Sequence, residues 1–255
     1  MDMTILKTEQ YDMAKPFLSD ISGALWHLEY MKNSNQGKLI VDNFPAIDTV
    51  YLETPFSFYY FAGKYNHAFM DELIKHIIKD LIPMGETRPL LIFSSNQEWK
   101  DELEKYLAPY INAQMGAFLV RRLHHLDHEK YSKIRETIAA PADADYVYES
   151  KIEKDGSMGI FVKYHGVEIG NYCAGSPGLG YMDFDVFTKP EHRNKGLALF
   201  CCSQLIDYCI NNNLIPQWGA ATVNIPSCKL AERLGFKMVS ETTHNFALIT
   251  RKPVQ

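Results

Sequence analysis

The residue types that could do chemistry are concentrated in one short stretch. Asp183 and Asp185 alternate along a strand-like run, Pro190 breaks it, and Arg193, Asn194, Lys195, Gly196, Leu197 and Ala198 open a helix-like run. A helix start exposes unpaired backbone N–H groups and the positive end of the helix dipole, so it attracts anions. Gly196 has no side chain, so a phosphate can come close to the backbone, and Ala198 keeps the next turn low. Arg193 and Lys195 add positive charge at the same point, and together these features describe a pyrophosphate cradle. Two common phosphate motifs are missing, since the chain contains neither G-x-x-x-x-G-K-[ST] nor G-x-G-x-x-G. The period-2 rule puts Asp183 and Asp185 on one face of their strand. A carboxylate there can take a proton from a reacting amine, and both aspartates also read as solvated strand-end groups or hydrogen-bond anchors.

Regular elements must position that stretch. Runs 159–164, 167–174 and 180–188 read as strands, with turns at His165-Gly166 and at Gly175-Ser176-Pro177-Gly178. Helix 195–211 follows, then strand 215–221, helix 225–234 and a mostly extended run over 237–250. The order is β-β-β-α-β-α-β. The first half also alternates, with a helical region over 9–32, strands at 38–41, 56–62, 89–93 and 117–121, and helices at 66–81 and 96–107, the latter capped by Ser95 or Asn96. A weaker region with a helix over 127–138 separates the halves and places a domain boundary near 122–145. The fold class is therefore α/β with mixed sheets, in a smaller N-terminal domain (1–124) and a C-terminal domain (125–255).

Bulk properties narrow the function. The 255 residues are 46% hydrophobic and 22% charged, with a formal net charge of −5. That is ordinary globular composition with no basic face for nucleic acid. No apolar run is long enough to span a bilayer, and the start carries no secretory signal pattern. The five cysteines, all in the C-terminal half and none in a C-x-x-C pair, read as reduced packing residues of a cytoplasmic protein. Cys201, Cys202 and Cys209 recur on one helix and suit a core. Cys173 has no nameable histidine partner. His124 and His128 have metal-ligand spacing without an H-E-x-x-H context, so no metal is expected. Trp218 reads as core or as cleft lining. The aromatic run 56–61 reads as a buried strand, and any part left exposed would mark a domain or homodimer interface.

On these residues the chain resembles the GNAT superfamily of N-acetyltransferases. Arg193-x-x-Gly196-x-Ala198, after a strand and opening a helix, is similar to its cofactor signature, and Asn224, a helix and Leu234-Gly235-Phe236 are similar to its downstream block. The resemblance covers about 159–250. The whole chain further resembles a two-domain subgroup that includes zwittermicin A resistance acetyltransferases, through Thr188, the run Arg193 to Ala198, Pro216-Gln217-Trp218, and Asn224, Ser227, Leu230 and Ala231. The resemblance implies acetyl-CoA as co-substrate, with its pyrophosphate on the amides from Arg193 to Ala198. The pantetheine arm would pair with the strand end Val186, Phe187 and Thr188, and an N–H there would stabilise the oxyanion. Asn224 and Ser227 would contact the pantetheine or thiol, although Asn224 also reads as a plain helix cap.

Superfamily bases often lie several residues before the bulge, which favours Asp183 over Asp185, Glu168 and Glu241. His192 reads as a loop residue near the phosphates. The superfamily's frequent general-acid tyrosine corresponds to Ala231, so that acid is absent or comes from elsewhere. The expected reaction is direct acetyl transfer to a small-molecule amine. A CoA-binding regulatory module with little turnover and a peptide or protein acetyltransferase are the alternatives, and the N-terminal domain would be a degenerate GNAT-like unit.

Overall fold

The computed structural model of the chain describes residues 3–21, 23–81, 90–110, 119–154, 156–178 and 180–249. The chain divides into two compact units, one formed by residues 1–121 and 242–255, the other by residues 122–241.

In the first unit, β1 (Thr4–Ile5) is followed by a 3-10 stretch over Thr8–Ala14 and two helices, α1 (Lys15–Leu18) and α2 (Ala24–Ser34). The helical region expected over 9–32 is thus broken in the middle, where Gly23 sits at φ +86°. Strands β2 (Lys38–Val41), β3 (Thr49–Glu53) and β4 (Phe58–Gly63) form an antiparallel meander. Helix α3 (His67–His76) then leads to β5 (Leu90–Ser94), parallel to β4, and to α4 (Gln97–Leu107). Asn66 caps α3 by accepting from Phe69 N at 3.2 Å, and Asn96 caps α4 by accepting from Trp99 N at 3.0 Å.

The aromatic run is divided between two faces of β4. Phe61 and Tyr59 join the core with Phe69, Leu73, Trp99 and Leu103. Tyr60 and Phe58 face His27 of α2. The starts expected at Pro89 and Ala117, and the end at Thr250, lie outside the described residues.

Strand β6 (Leu119–Leu126) carries the chain into the second unit, where α5 (His128–Arg135) follows. Asp127 caps α5 by accepting from Lys130 N at 3.0 Å. Strands β7 (Tyr146–Ile152), β8 (Met158–Tyr164), β9 (Val167–Gly178) and β10 (Tyr181–Thr188) are an antiparallel meander. Helix α6 (Leu197–Asn211), strand β11 (Ile215–Ala221) and helix α7 (Ile225–Arg233) complete the unit. Strand order here is β6-β11-β10-β9-β8-β7. The last strand, β12 (Phe236–Ile249), begins in this unit, and its residues Phe246–Ile249 pair antiparallel with β5 of the first unit.

The turn expected at Gly175–Gly178 is instead strand. Gly178 pairs with Tyr181 and Gly175 with Asp183, so β9 spends one residue more than β10 over this interval. A bulge absorbs Ser176 and Pro177, which explains how proline is tolerated there.

Helices α5 and α6 are pinned by a polar network. Tyr131 donates its hydroxyl to Asp207 Oδ1 at 2.6 Å, and Arg135 Nε donates to Asp207 Oδ2 at 2.7 Å. The α6 residues Cys201, Cys202, Leu205, Ile206 and Cys209 are buried in the second core. Burial pushes the thiols of Cys201 and Cys209 up to about 12 and raises that of Cys202 well above the ordinary thiol range, so these are packing residues and not nucleophiles. His124 lies on β6 with Nδ1 3.3 Å from the Trp218 carbonyl, whereas His128 opens α5; the pair is therefore not two positions of one helix face.

His27 in the first unit is buried, with Nδ1 2.6 Å from the Tyr60 hydroxyl. Burial, with a smaller contribution from the Arg121 charge, pushes its pKa down to about 3. An unfolded histidine titrates near 6.5. Between these values the unfolded chain binds the proton that the folded chain rejects, so this stabilising effect is complete above pH 6.5 and lost as pH falls toward 3. From pH 7 to 5 the wild-type chain should lose about 2 kcal/mol through His27. Urea denaturation of His27→Gln over the same range should lack that increment, and an unchanged slope would contradict the assignment.

Candidate active site

The site begins where a strand pair comes apart. Strand β10 is paired with β9 from Tyr181↔Gly178 to Thr188↔Gly170. With β11 it is paired in parallel only at Tyr181↔Ile215, Met182↔Pro216 and Asp183↔Gln217. Past Asp183, five residues of β10 keep β9 on one side and have no described ladder partner on the other. Backbone N–H and C=O groups without a ladder partner are hydrogen-bonding groups open to an extended ligand. On the helix-packed side of the divergence, the first rings beyond the pairing, Phe184 and Trp218, stack with centroids 5.4 Å apart, and Phe236 meets both. Trp218 Nε1 donates to Ser227 Oγ at 3.1 Å, which ties β11 to α7.

The opening leads to the loop between β10 and α6. Lys189 N donates to Ile169 O at 2.8 Å, Pro190–His192 form a 3-10 turn, and Asn194 and Gly196 take φ +61° and +87°. Arg193 Nε donates to Thr188 O at 2.9 Å, so its guanidinium locks the loop onto the strand end. Asn194, Lys195 and Gly196 precede α6, which starts at Leu197, two residues later than the sequence pattern predicts.

The first bond into the helix is Phe200 N to Gly196 O at 3.0 Å. The N–H groups of Leu197, Ala198 and Leu199 thus belong to the orphan set of a helix start. Helices α3, α4, α5 and α7 each have an Asn or Asp side chain that accepts from one of the orphan N–H groups, whereas α6, like α2, begins on a glycine with no side-chain cap. A Cβ on Gly196 would meet only Pro141 Cγ, at 3.9 Å, so the space over these donors is open. Uncapped donors, the dipole and the exposed Arg193 and Lys195 make an anion seat.

His192 is buried, not a free loop residue. Its Nδ1 is 3.1 Å from the Tyr146 hydroxyl, and its ring packs against Tyr146 and Tyr164. It anchors the loop to β7 and β8. The sequence shows no local sign of this, because Tyr146 lies 46 residues away in a strand whose other residues are mostly exposed.

The remaining candidates divide by face. Val186 packs against the core, and Thr188 Oγ1 is 2.7 Å from the Tyr172 hydroxyl. Asp183, Asp185 and Phe187 alternate with these on the other face. Asp183 is half-buried beside the end of the β10–β11 pairing, opposite Gly175. Asp185 is exposed opposite Cys173, and Phe187 is 51% exposed. Asn224 caps α7 by accepting from Ser227 N at 3.3 Å, and Ser227 Oγ takes the Trp218 indole proton. Ala231 is fully buried. Among the described residues no group of three or more His, Cys, Asp or Glu side chains is arranged to hold a metal ion, and no helix is long and apolar enough to cross a membrane.

Known proteins share this architecture. Residues 24–244 match the model of the GNAT acetyltransferase family. The uncharacterized N-acetyltransferase YdfB of Bacillus subtilis (strain 168) is 23% identical over 254 residues, covering 93% of this chain and 96% of that one. A GCN5-related N-acetyltransferase-like protein of Streptococcus suis 89/1591 superposes with a TM-score of 0.68 at 16% identity, covering 94% of this chain and 98% of its own. A tandem GNAT protein from the clavulanic acid biosynthesis pathway gives a TM-score of 0.56 at 10% identity, covering 100% and 99%. A strand pair that parts beside an uncapped, glycine-initiated helix, within a match spanning most of the chain, leads to one conclusion: the chain belongs to the GNAT acetyltransferase family and is a two-domain N-acetyltransferase.

Proposed function

We propose that the chain transfers the acetyl group of acetyl-CoA directly to a small-molecule amine at the divergence of β10 and β11. The observation that carries this reading is the uncapped start of α6 next to the open edge of β10. Acetyl-CoA would supply the activated acyl group. The amides from Arg193 to Ala198, with Lys195, would take its pyrophosphate, and the open edge of Val186, Phe187 and Thr188 would pair with the pantetheine arm. That edge runs back toward Asp183, which brings the thioester near the vertex. A backbone N–H there would stabilise the oxyanion as the amine nitrogen attacks. Asp183, half-buried on the face away from α6, would accept the amine proton, directly or through water. The C–S bond would break and CoA would leave as thiolate, a tolerable leaving group because thiols ionise far more readily than alcohols. This accommodates the absence of an acid at Ala231. Asn224 and Ser227 support the site from α7, and any contact they make with the pantetheine would be additional to the cap and the indole bond.

Three outcomes are expected. Gly196→Glu, which places bulk and charge over the anion seat and forces a side chain into φ +87°, should weaken acetyl-CoA binding at least a hundredfold by calorimetry, and Arg193→Ala should weaken it roughly tenfold. Normal binding by both would remove the site assignment. Asp183→Asn should cut CoA release on a responsive amine by about a hundredfold while leaving acetyl-CoA affinity intact; unchanged turnover would pass the base role to another group or to bulk water. His192→Ala should raise the KM for acetyl-CoA roughly fivefold with little change in kcat, and Tyr146→Phe should do so more weakly. A fall in kcat alone would mean that His192 does not act by holding the loop. Tight binding without turnover across an amine panel would favour a CoA-binding module.

A further inference from the structure

The two units repeat one order of elements. In the first, β2, β3 and β4 lead through α3 to β5, parallel to β4, and then to α4; in the second, β8, β9 and β10 lead through α6 to β11, parallel to β10, and then to α7. The point that corresponds to the opening in the second unit can therefore be found in the first and compared.

We infer that each chain holds a single acetyl-CoA, in the C-terminal unit, and that the corresponding cleft of the N-terminal unit is latched shut by Asn96 and Trp99. This rests on the acetyl-CoA reading above. Strand β4 stays paired with β5 from Phe58↔Leu91 to Phe61↔Ser94, and Ser95 N extends the contact by donating to Phe61 O at 2.9 Å. Only Ala62 and Gly63 remain beyond this, against five residues of β10 beyond its last pair. The Gly63 carbonyl, at the strand end, accepts from Asn96 Nδ2 and from Trp99 Nε1, each at 3.1 Å. Trp99 is fully buried, packed against Phe61 and Tyr65. Two carbonyls at the end of β4, those of Phe61 and Gly63, are thus taken by donors from the β5–α4 segment.

The phosphate end differs as well. The connection from β4 to α3 is Lys64, Tyr65 and Asn66, three residues in place of the eight from Lys189 to Gly196. Asn66 fills the cap position that α6 leaves open. At the strand end where the connection begins, Asp48 O packs so close to Gly63 that a Cβ there would clash with it. A cavity of about 370 Å³ beside this connection is lined by Asp42 and Asp48 as well as Lys64. Asp42 is buried and accepts from Asp48 N at 3.0 Å and Thr49 N at 2.8 Å. Two carboxylates beside the connection oppose a pyrophosphate.

The test is the stoichiometry of acetyl-CoA binding to the full chain, by calorimetry with the protein concentration fixed by absorbance. The expected result is one site per chain, with all saturable binding lost or weakened at least a hundredfold in Gly196→Glu. Trp99→Phe, which keeps the ring and removes the indole N–H, should leave the affinity within twofold of wild type. Two sites per chain, or a site of undiminished affinity in Gly196→Glu, would overturn the inference. The wild-type stoichiometry decides the matter even if a variant folds poorly. No binding by the wild type would overturn the acetyl-CoA reading itself.

Discussion

The register between β10 and β11 is the constraint on which the proposed active site depends. Three paired positions, ending at Asp183↔Gln217, hold the strands together. One residue further on, two stacked rings face each other across the gap. A sheet that stayed paired through Thr188 would bury every backbone group of β10 in ladder bonds and leave nothing for an extended ligand to join. The packing that lets the strands part lies on the helix side, where Trp218 is held by Ser227 and Phe236. The chemistry is expected on the opposite face, where Asp183 is left beside the glycine at 175. Core packing and the proposed proton transfer thus fall to alternate residues of one strand, a direct use of its period of two.

The loop that follows converts this opening into an oriented site. Three contacts determine its path: Lys189 N with Ile169 O, Arg193 Nε with Thr188 O, and His192 with Tyr146. Each ties the loop to a different strand, so the start of α6 is aimed by the sheet and not by its own cap. Asn66 caps α3 from extended backbone at φ −138°, a geometry that Gly196 at φ +87° does not have, so α6 starts without a side-chain cap. A glycine in place of an Asn cap forgoes only about a few tenths of a kcal/mol and leaves the donors for an anion.

Much of this was legible in the residues from Asp183 to Ala198, because a proline, a glycine and flanking basic groups each have a local conformational meaning that does not depend on the remainder of the fold. Helix boundaries marked by Asn66, Asn96 and Asp127 were legible for the same reason. Strand β7 was not, because it lies at the end of its sheet and its exposed Glu149, Ser150 and Lys151 erase the alternation that would reveal it. Strand β3 is buried along nearly its whole length, so it too lacks a period of two. Gly175 to Gly178 has the composition of a turn, and only pairing with β10 shows that a bulge absorbs it. The role of His192 depends on a tyrosine 46 residues distant, and the latch on Gly63 depends on two side chains from the helix beyond the next strand. Contacts of that range carry no signature in a single sequence.

The most direct test of the central claim is amide hydrogen exchange of the full chain with and without saturating acetyl-CoA, resolved to short peptides. Slowed exchange is expected at 184–188 and at 197–199, the open edge and the uncapped helix start, with the backbone at 61–66 unaffected. Unchanged exchange at both of those segments, with slowing elsewhere, would mean that the parted strands are not where acetyl-CoA binds.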